Sequence, residues 1–124
     1  AVAQALEAVE MPLALAAAVE AAPGRDREEL ANTGWVRHTL ESAVWGLLTT
    51  RTFADAVIQV VNLGGDADTA GAVAGALAGA AYGLQAIPER WQAAVHGEWP
   101  LGSGRRWGTP ELVELADRLI GGDR

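Results

Sequence analysis

A chain of 124 residues is one domain's worth and can bury a modest core. Nine arginines, with no lysine, stand against sixteen acidic residues, and the resulting formal charge of −7 argues against a nucleic-acid backbone as the main partner. Cysteine is absent, which excludes disulfides, thiolate metal ligands and a cysteine nucleophile, and fits a cytoplasmic setting.

Half of the residues are hydrophobic, but much of that share is alanine, so stability must come from close helix packing. Residues 1–22 are Ala-rich with Leu, Val and Glu interspersed, which favours helix, and Pro12 should divide it. Glu7 and Glu10 with no basic start rule against a signal peptide. Residues 23–34 read as a charged loop with one helical turn, closed by an Asn32-Thr33-Gly34 turn. The acidic doublet Glu28-Glu29 in that loop reads most simply as solvated.

Helical periodicity returns from Val36 to Leu48, with Val36, Leu40, Val44 and Leu47 as the apolar stripe and Arg37 and Glu41 on the outer side. Thr52 is the natural N-cap of a helix over Phe53–Val61, where Phe53, Ala56, Val57 and Val60 face inward and Asp55 and Gln59 outward. A long run of small residues follows, uncharged from Thr69 to Ile87, and glycine at 83 suits its end. The run is Ala/Gly rather than Leu/Ile and has no basic flank, so it reads as a buried central helix, not a membrane span. Its glycines at 71, 75 and 79 would let neighbouring helices approach.

Pro88 opens a short helix over Glu89–Val95. Residues 96–108 look like a surface loop. Its Gly102-Ser103-Gly104-Arg105-Arg106 lacks the strand-then-helix context of a phosphate-binding motif. Thr109-Pro110-Glu111 starts the last helix, with Leu112, Leu115, Ala116 and Leu119 turned inward. There is no convincing strand and no internal repeat. The expected fold is a single all-α domain over 1–124, a compact bundle of about five to seven helices.

The chemistry concentrates in Asn62-Leu63-Gly64-Gly65-Asp66-Ala67-Asp68-Thr69. Two glycines release the backbone, then two carboxylates and a hydroxyl follow at the mouth of the small-residue helix. An all-oxygen donor set suits a hard cation such as Mg²⁺ or Ca²⁺. Two aspartates two residues apart in one helix would diverge, so at least one must lie in the loop to share an ion. The simpler alternative is that Asp66 or Asp68 caps the helix. An EF-hand does not fit, because the twelfth position counted from Asp66 is Leu77 where a glutamate is needed.

This motif, with Gly75-Ala76-Leu77-Ala78-Gly79-Ala80, Tyr82-Gly83, Ile87-Pro88 and Trp91 after it, resembles the C-terminal signature of the ADP-ribosylglycohydrolase family. Upstream, Thr33-Gly34-Trp35-Val36-Arg37-His38-Thr39-Leu40-Glu41 is similar to the family's stretch before the motif. The resemblance implies an all-α hydrolase that cleaves the glycosidic bond between ADP-ribose and a protein side chain, often arginine, or a related small molecule. It implies two Mg²⁺ or Mn²⁺ ions, with Asp66, Asp68 and Thr69 as metal ligands and the two aspartates as catalytic residues. Asn62, Gly64 and Gly65 would shape the loop. Thr33, Gly34 and Trp35 would form a substrate-facing turn, or else a purely structural one.

The family's upstream Thr/Ser-Asp-Asp motif has no counterpart, since no Asp-Asp pair occurs in the chain. Three ligands do not fill two octahedral sites of roughly six oxygens each, so ion affinity should be weak, on the order of millimolar. The chain therefore reads as the C-terminal segment of the family's domain, supplying half of a dinuclear site. Its partners would be an ADP-ribosylated protein or ADP-ribose-like small molecule, and either the missing half or a second copy. Two alternatives stand beside this: a non-catalytic ADP-ribose-binding domain, and a structural or oligomerisation unit. His38 reads as a solvated or hydrogen-bonded structural residue, and His96 as a cation placed favourably after a helix end.

Overall fold

The computed structural model describes residues 12–121, which divide between two compact units, Ala1–Ala86 and Ile87–Arg124. In the first unit α1 (Leu13–Ala21) begins after Pro12, whose carbonyl accepts the first N–H bonds, from Leu15 and Ala16. Whatever precedes Pro12 lies outside the described residues. Two 3₁₀ turns follow, Ala22–Gly24 and Arg27–Glu29. Glu29 is not simply solvated: it closes a capping box, accepting the Asp26 N–H at 2.8 Å.

Helix α2 (Val36–Thr49) is the most enclosed element, burying Thr39 and every residue from Glu41 to Gly46. The expected stripe is only partly right. Val36 is 60% exposed, and Glu41, placed outward by the sequence reading, is buried. The reason is that α2 is packed on more than one side. Val44 and Trp45 join Val19 and Ala22 in one core cluster, while Ala43 joins Val60, Ala70 and Ala74 in another. A helix so surrounded has no free face for Glu41, whose charge is met by Arg25 at 3.0 Å.

Helix α3 (Phe53–Val61) starts as expected, with Thr52 Oγ1 accepting the Asp55 N–H at 3.0 Å. Phe53, Ala56 and Val60 are its buried residues. Helix α4 (Ala67–Tyr82) packs on both α2 and α3, and no helix among the described residues is long and apolar enough to cross a membrane. Its close-approach stripe is Ala70, Ala74 and Ala78, four residues apart, and not the glycines. Gly75 has open space beside it, and only Gly71, against Val61, is tightly met. Gly83, at φ +79°, ends the helix.

The second unit holds α5 (Glu89–Ala94), strands β1 (His96–Glu98) and β2 (Arg106–Gly108), and α6 (Thr109–Gly121). The expected loop at 96–108 is an antiparallel hairpin, with His96 opposite Gly108 and Glu98 opposite Arg106. Three-residue strands interrupted by glycine leave no period-two pattern to read. Thr109 Oγ1 donates to the Gln92 carbonyl at 2.7 Å, tying α6 to α5. A second correction falls on α6. Leu112, Leu115 and Leu119 are exposed, and Ala116 with them. A hairpin this short cannot cover a helix of thirteen residues.

Candidate functional site

Two loops of the first unit are latched to each other. One is Asn62–Asp66, between α3 and α4; the other is Asn32–Trp35, before α2. Asn32 carries the latch. Its carbonyl accepts the Asp66 N–H at 3.0 Å, and its side-chain Nδ2 donates to the Gly64 carbonyl at 2.5 Å. Arg27 adds a third tie, donating from Nη2 to the Asn62 carbonyl. Gly64 and Gly65 have φ of +77° and +62°, a region that favours glycine. At Gly65 a side chain is excluded twice over, because a Cβ would also collide with the Asn32 carbonyl.

Asp66 stands at the N-cap position of α4, yet its side chain makes no cap bond. Asp66 therefore does not cap the helix and bonds to Asp68 instead, whereas Asp68 takes first-turn backbone N–H groups, its own and that of Thr69, as the capping alternative expects. Asp68 sits in the first turn, and Asp68 and Thr69 are exposed while Asp66 is half-buried. The Asp66 carboxyl, hydrogen-bonded to Asp68, holds the Asp68 carboxyl below the ordinary carboxylate range, helped by the backbone N–H groups of Thr69 and Asp68 itself. Two carboxyl groups in contact repel when both are ionised, and a cation between them relieves that repulsion. The donors, two carboxylates and the Thr69 hydroxyl, are all oxygens and fit a hard divalent ion. Among the described residues no three His, Cys, Asp or Glu side chains cluster, so water or other donors would have to complete any shell.

The turn Thr33-Gly34-Trp35 comes up against this motif. A Cβ on Gly34 would lie 2.7 Å from Asp66 Oδ2. Trp35 is 54% exposed beside it, with the Arg37 guanidinium 5.8 Å from its ring centre and the His38 ring edge-on at 4.8 Å. Asn62, Gly64 and Gly65 lie in the connecting loop. Sequence reasoning missed Asn32 and Arg27. Asn32 was visible only as part of a turn, and a side chain that binds a loop 32 residues away leaves no local signal.

Elsewhere, the tip of the hairpin is not an open phosphate cradle. Glu98 Oε1 already accepts the Gly104 N–H at 2.5 Å. His96 donates from Nδ1 to the carbonyl of Ala94, the last residue of α5.

The profile of the ADP-ribosylglycohydrolase family matches residues 1–124, and the chain belongs to that family. It is 43% identical over 67 residues to the ADP-ribosylarginine hydrolase Tri1 of Serratia proteamaculans, covering 54% of this chain and 18% of the relative. It is 45% identical over 60 residues to the ADP-ribosyl-[dinitrogen reductase] glycohydrolase of Rhodospirillum rubrum, covering 48% and 20%. With human ADP-ribosylhydrolase ARH3 the identity is 49% over 41 residues, covering 33% and 11%. The aligned part of this chain thus spans a fifth or less of these relatives. No solved structure gives a significant match.

Proposed function

We propose that this chain supplies part of the active site of a metal-dependent hydrolase, one that cleaves the bond between ADP-ribose and a protein side chain of the arginine type, or a related small molecule. The observation that carries this reading is the Asp66–Asp68 carboxyl pair, uncapped on the Asp66 side and held against the Gly34–Trp35 turn. Asp66, Asp68 and Thr69 would hold Mg²⁺ or Mn²⁺, two ions in a complete site. Such ions, when bound, polarise ribose hydroxyls and lower the pKa of water.

The chain's own residues have separate tasks. The glycine loop and Asn32 fix where the two carboxylates stand. The Asp66 carboxyl beside it and the backbone N–H groups of Thr69 and Asp68 favour the ionised form of Asp68. Thr33, Gly34 and Trp35 present a surface beside the carboxylates where an ADP-ribose group can lie, with the exposed indole as its apolar contact. Three protein donors leave most of two octahedral shells unfilled, so further donors from the rest of the family's domain, or from a second copy, belong to the reading.

The test is release of ADP-ribose from an ADP-ribosylated arginine substrate, with Mg²⁺, with Mn²⁺ and with chelator, for the parent and Asp66→Ala. Metal-dependent release lost in the variant is the expected result once the remaining donors are present. If a complete family domain carrying this segment releases ADP-ribose equally well in chelator, the metal reading is wrong.

A further inference from the structure

We propose that His38 is a positioning residue, the support that fixes both Thr33 and Trp35 in the turn beside Asp66. The proposal rests on the reading of that turn as substrate-facing. His38 sits in the first turn of α2, and its ring touches both residues. Nδ1 is 2.8 Å from Thr33 Oγ1, and the ring stands edge-on to the Trp35 indole, 4.8 Å between centres at 78°. Thr33 Oγ1 in turn accepts the Trp35 backbone N–H at 3.3 Å. His38 thus meets both the Thr33 hydroxyl and the Trp35 indole, and the same hydroxyl takes the Trp35 main-chain N–H.

The backbone of the turn is held independently. Thr39 Oγ1 lies 3.3 Å from the carbonyls of both Thr33 and Trp35, and Asn32 fastens the chain just before it. That separates the two jobs. Thr39 and Asn32 hold the path of the main chain, whereas His38 meets the side chains. Trp35 is more than half exposed, so burial does little to choose its rotamer. The edge of His38 and the guanidinium of Arg37 are the two ring contacts that orient it. An exposed indole held in one orientation gives a planar ligand a ready surface, and spares the ordering that binding would otherwise require. His38 would therefore act on ligand affinity without touching the ligand or the carboxylates.

The test uses the full chain with His38→Ala, His38→Phe and His38→Asn. The first readout is the nanosecond mobility of the Trp35 indole N–H by ¹⁵N relaxation, with its resonance assigned through Trp35→Phe. His38→Ala should free the indole while the melting temperature stays close to the parent value. Phe restores the ring edge and should recover indole rigidity. Asn restores a polar atom near the Nδ1 position and should recover the Thr33 contact, read from the Thr33 side-chain shifts. An indole as rigid in His38→Ala as in the parent would overturn the proposal, as would a general loss of stability in all three variants. The second readout is ADP-ribose affinity by titration calorimetry, expected to weaken about two- to tenfold in His38→Ala, the range for one side chain left to be ordered on binding. A parent chain that binds no ADP-ribose would count against the substrate reading alone, because the indole measurement decides the role of His38 without any ligand.

Discussion

Gly34 and Asp66, from loops 32 residues apart, meet so closely that a methyl group at position 34 would stand 2.7 Å from Asp66 Oδ2. The atom in the way is the end of a side chain, which can swing aside at little energetic expense. Gly34→Ala should therefore leave stability within about 0.5 kcal/mol of the parent. It should move the carboxylate, and metal affinity should weaken about tenfold, as when a group next to a ligand is disturbed. Calorimetric titration with Mn²⁺ and a thermal melt on the same sample check both halves. Unchanged Mn²⁺ affinity in the variant would remove Gly34 from the site.

Gly65 presents the opposite case. Its φ of +62° disfavours a side chain, and the obstacle is the Asn32 backbone carbonyl, which cannot swing away. Gly65→Ala should cost about 2–4 kcal/mol, combining backbone strain with the loss of the latch. Asn32→Ala removes only the bond to the Gly64 carbonyl and should cost about 1–2 kcal/mol. Urea unfolding ranks the two. A Gly65→Ala variant as stable as Asn32→Ala would mean the two loops are free to separate.

Much of this arrangement was legible in the sequence because its signals are local. The Thr52 cap, the glycine after Tyr82 and the Gly-Gly-Asp-Ala-Asp-Thr motif each depend on residues a few positions apart. What was not legible came from distant partners. Asn32 is significant only because Gly64 is folded beside it. Glu41 breaks the amphipathic pattern because Arg25 reaches it from sixteen residues away. The small-residue helix, expected to be the buried central one, buries only Ala70, Ala74 and Ala78, and α2 is the enclosed element instead; alanine and glycine have similar size, and only the packing says that the alanines face inward. On α6 the periodicity of Leu112, Leu115 and Leu119 is genuine, yet periodicity does not supply the element that would cover it.

The start of α6 gives a pH-dependent prediction. The Gly108 N–H donates to Glu111 Oε2 at 2.8 Å, and this bond holds the Glu111 carboxyl below its ordinary value of 4.5, with the Glu111 N–H adding to it. A carboxyl whose pKa is lowered by folding stabilises the folded form above its unfolded pKa. That contribution is lost as the pH falls through the lowered value. Glu111→Gln should therefore melt earlier than the parent near neutral pH, and the gap should close as the pH drops below 4.5. Melting curves across that range read it directly, and a gap that persists in acid would assign the effect to packing instead of charge.

Arg25 and Glu41 test how α2 tolerates a charge on its buried side. Glu41 is 6% exposed, and its Oε1 accepts from Arg25 Nε at 3.0 Å. The Arg25 side chain is 35% exposed and also lies 3.8 Å from Glu29, so water already shares its charge. Losing one partner of a fully buried pair costs about 3–5 kcal/mol, and partial exposure here should reduce that to roughly 1–3 for Arg25→Ala. Glu41→Gln keeps an acceptor for Arg25 without leaving a charge, and should cost no more than about 1 kcal/mol. Replacing both, as Arg25→Met with Glu41→Leu, should recover most of the loss, because apolar residues of similar size often substitute for a buried ion pair. The Arg25 carbonyl, which accepts from Trp45 Nε1 at 3.1 Å, survives in every variant, so the turn itself stays anchored to α2. A double variant less stable than Arg25→Ala would show that the pair is needed for more than neutralising Glu41.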